Sequence, residues 1–365
     1  MSSVSITDFG AKGDGHTDNS AAIQAALDFA KTNGLDVLVP AGVFAHSSTL
    51  SISGIHVSGT GDGSVLKATH YGQEALYLRG DGADLSDLRI ESVNGARLST
   101  DASAQVLVDG AINFAVENIH IVGSSSAGIQ VNTGAYGTIA DNLIENTRAD
   151  SIHMVSGSHD IVVENNRTVG SGDDGISVVS YQGAGTVHNI TVSDNEVLDN
   201  TGGRGVAVVG GSEVVIEHNT VESSASNAGI YIAAEQAYNT EAVHDVQVTD
   251  NTVIDAGGPT SGHGAITLYN SQGGQGLTND GITIADNDII DPRFVGIAVR
   301  GTGIQTAAIY DNQVSGGETA LDISAGAQLN LVSPADVPDV AGADPPDTTI
   351  GIVGVAHPTP DDPLS

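Results

Sequence analysis

The chain has 365 residues, 45 Asp and Glu against 11 Lys and Arg, a formal net charge of −34, 47 Gly and neither Cys nor Trp. That charge excludes nucleic acid or an anionic membrane as a partner, because a phosphate surface needs Lys and Arg to replace its counterions, and it weighs against a densely anionic substrate. Intrinsic disorder is excluded as well: 39% of residues are apolar, mean hydropathy is +0.02, and the dominant Val, Ile and Ala suit strands.

Met1-Ser2-Ser3-Val4 carries no signal peptide, and no apolar run is long enough to span a bilayer. The absence of Cys fits an extracellular protein without disulfides. Secretion is therefore expected, through a leader already removed or a C-terminal signal outside this sequence. Every Lys lies at or before Lys67, so beyond it the only cations are Arg and protonated His.

The first predicted element is an α-helix. Thr17-Asp18-Asn19-Ser20 offers N-cap residues ahead of the amphipathic stretch from Ala21 to Ala30. Leu38-Val39-Pro40-Ala41-Gly42-Val43-Phe44 then opens a series of strands. From residue 110 one pattern recurs, an acidic residue, His or Asn followed by Asn and apolar residues: Glu117-Asn118-Ile119, Asp141-Asn142, Asn165-Asn166, Asp194-Asn195, His218-Asn219, Asp250-Asn251, Asp286-Asn287 and Asp311-Asn312. The Asn-to-Asn steps are 24, 24, 29, 24, 32, 36 and 25 residues. This period is too short for propeller blades and lacks the 3.6-residue periodicity of helical repeats.

A second phase opens each repeat with a small residue and alternating apolar residues: Gly128-Ile129-Gln130-Val131, Ser151-Ile152-His153-Met154, Gly175-Ile176-Ser177-Val178, Gly205-Val206-Ala207-Val208, Gly229-Ile230-Tyr231-Ile232, Gly264-Ala265-Ile266 and Gly296-Ile297-Ala298-Val299. Such short period-2 strands between turns cannot bury an apolar face one coil at a time, but stacked coils can. The fold class expected is all-β: a right-handed parallel β-helix, a single solenoid over residues 1–332 with an N-terminal capping α-helix. The recurring Asn reads as a structural ladder. Seven of the ten Pro fall after residue 333, so residues 333–365 read as an extended tail or linker.

The opening Ile6-Thr7-Asp8-Phe9-Gly10-Ala11-Lys12-Gly13-Asp14-Gly15, with the helix and the Val-Pro-Ala-Gly strand after it, resembles the pectate-lyase-like β-helix superfamily. With the repeats, the resemblance covers roughly residues 4 to 325. It implies a fold shared by polygalacturonases, phage tailspikes and mannuronan C5-epimerases.

Aligning the coils on the small opening residue locates a candidate site. Positions one and three face the core, so the residue before the opening one and the residue two after it point outward. The first outward column reads Ala127, Asp150, Asp174, Arg204, Ala228, His263, Val295; the second reads Gln130, His153, Ser177, Ala207, Tyr231, Thr267, Ala298. Ionisable groups concentrate on the coils of Asp150, Asp174 and Arg204, with Asp173 beside Asp174. Carboxylates on adjacent rungs cannot all ionise cheaply, so one should stay protonated near neutral pH. An acid and a base separated by roughly 6.5–9.5 Å are what inverting glycoside hydrolysis uses, and one or two rungs span that distance. Arg204 would hold the sugar, with His153 beside the carboxylates. Tyr231, His263, Gln130, Ser177 and Arg300 are candidate substrate contacts.

The stretch from Asp150 to Gly170-Ser171-Gly172-Asp173-Asp174-Gly175 is similar to polygalacturonases (glycoside hydrolase family 28), in which an Asp precedes a Gly-Asp-Asp on the next coil. That resemblance implies catalytic roles for Asp150, Asp173 and Asp174. Gly203-Arg204-Gly205 stands where that family has Gly-His-Gly, and Gly262-His263-Gly264 comes two coils later, roughly 14 Å from Asp174 at one rung per coil.

Three functions remain open. The first is an inverting polysaccharide hydrolase needing no cofactor. The second is a Ca2+-assisted lyase or C5-epimerase acting on a uronate polymer, with Asp173 and Asp174 as metal ligands and Arg204 or His153 as the base. The third is a non-catalytic, tailspike-like glycan binder. In each the partner is a polysaccharide, and the chain is expected to act as a monomer.

Overall fold

The computed structural model describes residues 2–93, 95–222, 224, 226–333 and the backbone of 353–355. Three sheets of 13, 13 and 11 strands run the length of the molecule, each coil adding one strand to each. Every pairing between strands within these sheets is parallel, and the chain is a parallel β-helix. Between the sheets runs one continuous core, from Ile6 through Ile152, Ile176 and Val206 to Ile297 and Val314. An α-helix, α1 (Ser20–Asn33), adds Ile23, Ala26, Leu27 and Ala30 to its N-terminal end. Asn19 occupies the N-cap position without capping. Its buried amide instead bonds Lys12, Thr17 and the Ala45 carbonyl, fastening the helix entry to the first coils.

The recurring dipeptide has two distinct tasks. Its first residue takes a left-handed conformation, with φ between 50° and 56° at Asp141, Asn165, Asp194, His218, Asp250, Asp286 and Asp311, a region that Asn and Asp tolerate best. The second is the ladder: Asn142, Asn166, Asn195, Asn219, Asn251, Asn287 and Asn312 are all buried. Each amide oxygen accepts from the backbone N–H of the preceding ladder Asn, as Asn219 does from Asn195 at 3.0 Å, while its Nδ2 reaches a carbonyl of the preceding coil. Asn118 is not a member. It is exposed with φ 56°, and Ile119 stands in the ladder position, donating its N–H to Asn142. The sequence alignment is thus one residue out at that coil.

Replacing Asn219 with Ala leaves the Asn195 N–H and the Val192 carbonyl without their partners in a dry interior. We expect a loss of roughly 3 kcal/mol and an apparent Tm lower by about 4 °C by calorimetry; an unchanged Tm would show the ladder to be energetically idle.

The 11-stranded sheet carries the outward columns. Its strands β1 (Ile129–Asn132), β2 (Ile152–Val155), β3 (Ile176–Val179), β4 (Val206–Val209), β5 (Ile230–Ala234), β6 (Ile266–Asn270) and β7 (Ile297–Gly301) align Gln130, His153, Ser177, Ala207, Tyr231, Thr267 and Ala298 in one register. That is the second column expected from sequence. The first column shifts at β6: Ile230 pairs with Ile266, so Gly264, not His263, occupies the position before the opening residue. Most of the segment read as a tail, 333–365, lies outside the described residues; Val353–Val355 within it pairs in parallel with Gln313–Ser315.

Candidate active site

Asp150, Asp174 and Arg204 close the turns that lead into β2, β3 and β4. The Asp174 N–H donates to Asp150 Oδ1 at 3.0 Å, and the Arg204 N–H donates to Asp174 Oδ1 at 2.7 Å. Each carboxylate is therefore positioned by the backbone of the next coil. Gly203 makes this approach feasible: its φ is 61°, and a Cβ there would lie 2.3 Å from the Asp173 carbonyl carbon. One oxygen each from Asp150, Asp173 and Asp174 lies within 4.8 Å of the others. This is closer than the roughly 6.5–9.5 Å between carboxyl groups expected from the sequence reading.

The environments of the three differ. Asp174 is 6% exposed, and burial pushes its pKa up to about 7; the Arg204 charge opposes this, and the charges of Asp150 and Asp173 add to it. Asp150 is shifted the other way. Burial resists its ionisation, but the His153 charge and hydrogen bonds from His153 (2.6 Å), Ser177 (2.9 Å) and the Asp174 N–H outweigh it and lower its pKa. His153 is raised in turn: burial disfavours its charge, and Asp150 overcomes this. Asp173 is the most exposed of the trio and pairs with Arg97 at 2.7 Å. Two neighbouring carboxyls are thus shifted in opposite directions, and Asp174 is the one that holds a proton to the higher pH.

Arg204 lies 3.5 Å from both Asp174 and Glu235, with its guanidinium 4.3 Å over the Tyr231 ring. Its Nε contacts Asp174 by distance only and has no well-aligned hydrogen-bond acceptor. Burial lowers the Arg204 pKa, but the Asp174, Tyr231 and Glu235 charges raise it above its ordinary value. Both shifts, upward for Arg204 and for His153, favour the protonated form and disfavour either group as a base.

Gln130, Asp150, His153, Asp173, Asp174 and Arg204 all line one cleft of about 530 Å3. The other substrate contacts expected from sequence need correcting. Ser177 is fully buried and supports Asp150. Tyr231 is 2% exposed, roofed by Arg204 and giving its hydroxyl to Glu235 at 2.8 Å, so no sugar reaches its face. His263, displaced by the register shift, accepts from the Ala228 N–H; burial and the Arg204 and Arg300 charges push its pKa down to about 4, and it lies outside the cleft lining. Arg300 is held by Asp322 at 2.7 Å and by the Gly262 carbonyl, away from the cleft.

Sequence reasoning missed Arg97, Asp101, Tyr181, Glu235 and Tyr238, all in the lining. Arg97 and Asp101 lie on a connection without the repeat. Tyr181, Glu235 and Tyr238 lie on the insertions behind the long 29- and 32-residue Asn steps, so step length was the available signal. These insertions follow β3 and β5 and join through the Gln182 N–H to the Asn239 carbonyl (2.9 Å) and Gln182 Nε2 to the Thr240 carbonyl (3.0 Å), forming one wall.

A family profile described as rhamnogalacturonase A/epimerase, pectate lyase-like, matches residues 3–231, and one described as right handed beta helix region matches residues 155–314. Among solved structures, the Agl-KA catalytic domain superposes with a TM-score of 0.75 at 21% identity, over 90% of this chain and 68% of its own. The A-module of the Azotobacter vinelandii mannuronan C-5 epimerase AlgE6 gives 0.64 at 18%, over 97% and 99%. The catalytic domain of a GH87 α-1,3-glucanase with one aspartate replaced by alanine, in complex with tetrasaccharides, gives 0.70 at 18%, over 94% and 67%. The adjacent aspartate of that enzyme is replaced in a companion tetrasaccharide complex. No curated protein matches the chain.

Proposed function

The chain belongs to the rhamnogalacturonase A/epimerase, pectate-lyase-like family, and from that premise we propose that it hydrolyses glycosidic bonds of a polysaccharide, with inversion, through Asp150, Asp173 and Asp174. The observation that carries this reading is the buried Asp174, its N–H on Asp150 Oδ1 at 3.0 Å, with its carboxyl pushed up to about 7 while that of Asp150 is held below its ordinary value. Asp174 supplies the proton to the glycosidic oxygen, and the neighbouring carboxylates take one from the attacking water. Asp150 Oδ1 and Oδ2 are both engaged by donors, and Asp173 Oδ2 by Arg97. Donors on these oxygens restrain them equally as bases and as nucleophiles, so the anomer of the product is the measurement that separates water activation from direct attack.

Elimination at a uronate would need a base; Arg204 is paired with Asp174 and Glu235, and the His153 pKa is raised by Asp150, which disfavours both in that role. Charge also weighs against a resident Ca2+: Arg97, His153 and Arg204 already neutralise the trio. We expect reducing ends without the near-UV absorbance of an unsaturated sugar, a product anomer inverted by NMR, and activity that survives EDTA. An absorbing product would replace hydrolysis with elimination, and a retained anomer would make one of the carboxylates a nucleophile. A polymer substrate and the lack of Cys favour an extracellular site of action.

A further inference from the structure

We propose that the cleft takes an uncharged glycan rather than a uronate polymer, with its sugar rings seated on Tyr181 and Tyr238; this rests on the hydrolytic reading and names its substrate class. Five carboxyl groups line the cleft (Asp101, Asp150, Asp173, Asp174 and Glu235) against three cations. Each cation is already matched: Arg97 to Asp173 at 2.7 Å, His153 to Asp150 at 2.6 Å, and Arg204 to Asp174 and Glu235 at 3.5 Å. A uronate carboxylate entering here would have to break one of these pairs and strand a half-buried acid, a cost that its own new ion pair does not recover. Arg204 is the least able to turn, since it is fixed between two acids and the Tyr231 face. Arg148, exposed and without an ion-pair partner among the described residues, opens onto a separate hollow of about 500 Å3 that shares no lining residue with the cleft.

An uncharged sugar is held by hydroxyl hydrogen bonds and by the apolar face of its ring. Tyr181 and Tyr238 are 38% and 66% exposed and line the cleft, whereas Tyr231 is covered. Their two loops are tied by the Gln182 bonds to Asn239 and Thr240 and by a bridge between Tyr181 and Thr240. The aromatic faces are therefore presented by a braced wall, with little ordering left to be done on binding.

The test uses the full chain as Asp174→Asn, which holds substrate without turning it over, titrated by calorimetry with neutral oligosaccharides (gluco-, galacto-, manno- and rhamno-) and with oligogalacturonate and oligomannuronate, each with and without Ca2+. The expected result is binding of a neutral chain with weak salt dependence. Tyr181→Ala and Tyr238→Ala should each weaken it roughly five- to tenfold, while Tyr181→Phe and Tyr238→Phe, which keep the ring, bind as the parent does. Tighter binding of a uronate oligomer overturns the proposal, as does parental affinity in the Tyr181→Ala/Tyr238→Ala double variant. The two readings fail separately: a uronate polymer cut by hydrolysis removes the substrate class alone, and a neutral chain bound but never cut by the unsubstituted protein removes hydrolysis alone.

Discussion

Asp174→Asn should lower kcat by about 10²–10⁴-fold, the contribution of a positioned general acid, while leaving the fold intact. The amide keeps an oxygen to accept the Arg204 N–H at Asp174 Oδ1 but has no proton to give. In the unsubstituted protein, kcat/KM should fall as pH rises through about 7, where this acid ionises. A stability measurement separates the role from mere packing. The folded pKa of Asp174 is raised above the ordinary 3.8, so the carboxyl costs the native state nothing below pH 4. It destabilises progressively between about 4 and 7, and the full penalty remains above. Asp174→Asn carries no such penalty, so its Tm relative to the parent should climb from pH 4 to pH 8. Retained turnover, or a Tm difference flat with pH, would remove Asp174 as the acid.

Asp150→Asn should be as damaging to turnover, for a different reason. It removes the charge that keeps His153 protonated and that helps to raise Asp174. Residual activity should therefore lose its alkaline limb at a lower pH than the parent. Breaking a buried ion pair also costs about 3–5 kcal/mol. The sign follows from both partners: the depressed Asp150 contributes above its unfolded value near 3.8 and is lost as pH falls through the folded one, while the raised His153 contributes fully below 6.5 and is lost as pH rises through its own. The Tm deficit should thus be largest between about pH 4 and 6.5. A deficit independent of pH would mean that the pair is structural packing alone.

The repeat made the scaffold and the clustering of the three aspartates legible, because residues one coil apart in sequence become neighbours whatever lies between. Where that rule weakens, the reading fails. Asn118 looked like a ladder member since its neighbours spell the motif, but its coil runs one residue shorter, from Ile119 to Asn142. His263 moved out of its column with the register at β6. Tyr231 does point outward from its strand, but outward is not exposed: a guanidinium from the preceding coil covers it. Arg97 belongs to no repeat, so no alignment of coils could bring it to Asp173.

The wall behind the cleft hangs from the ends of β3 and β5 and supplies none of the ladder asparagines. Lengthening, shortening or exchanging those insertions would therefore alter which chain fits while the coils beneath keep their stacking, since loop extension costs little. Selectivity and foldability are written in separate stretches of this polypeptide, which leaves the first free to diversify at small risk to the second.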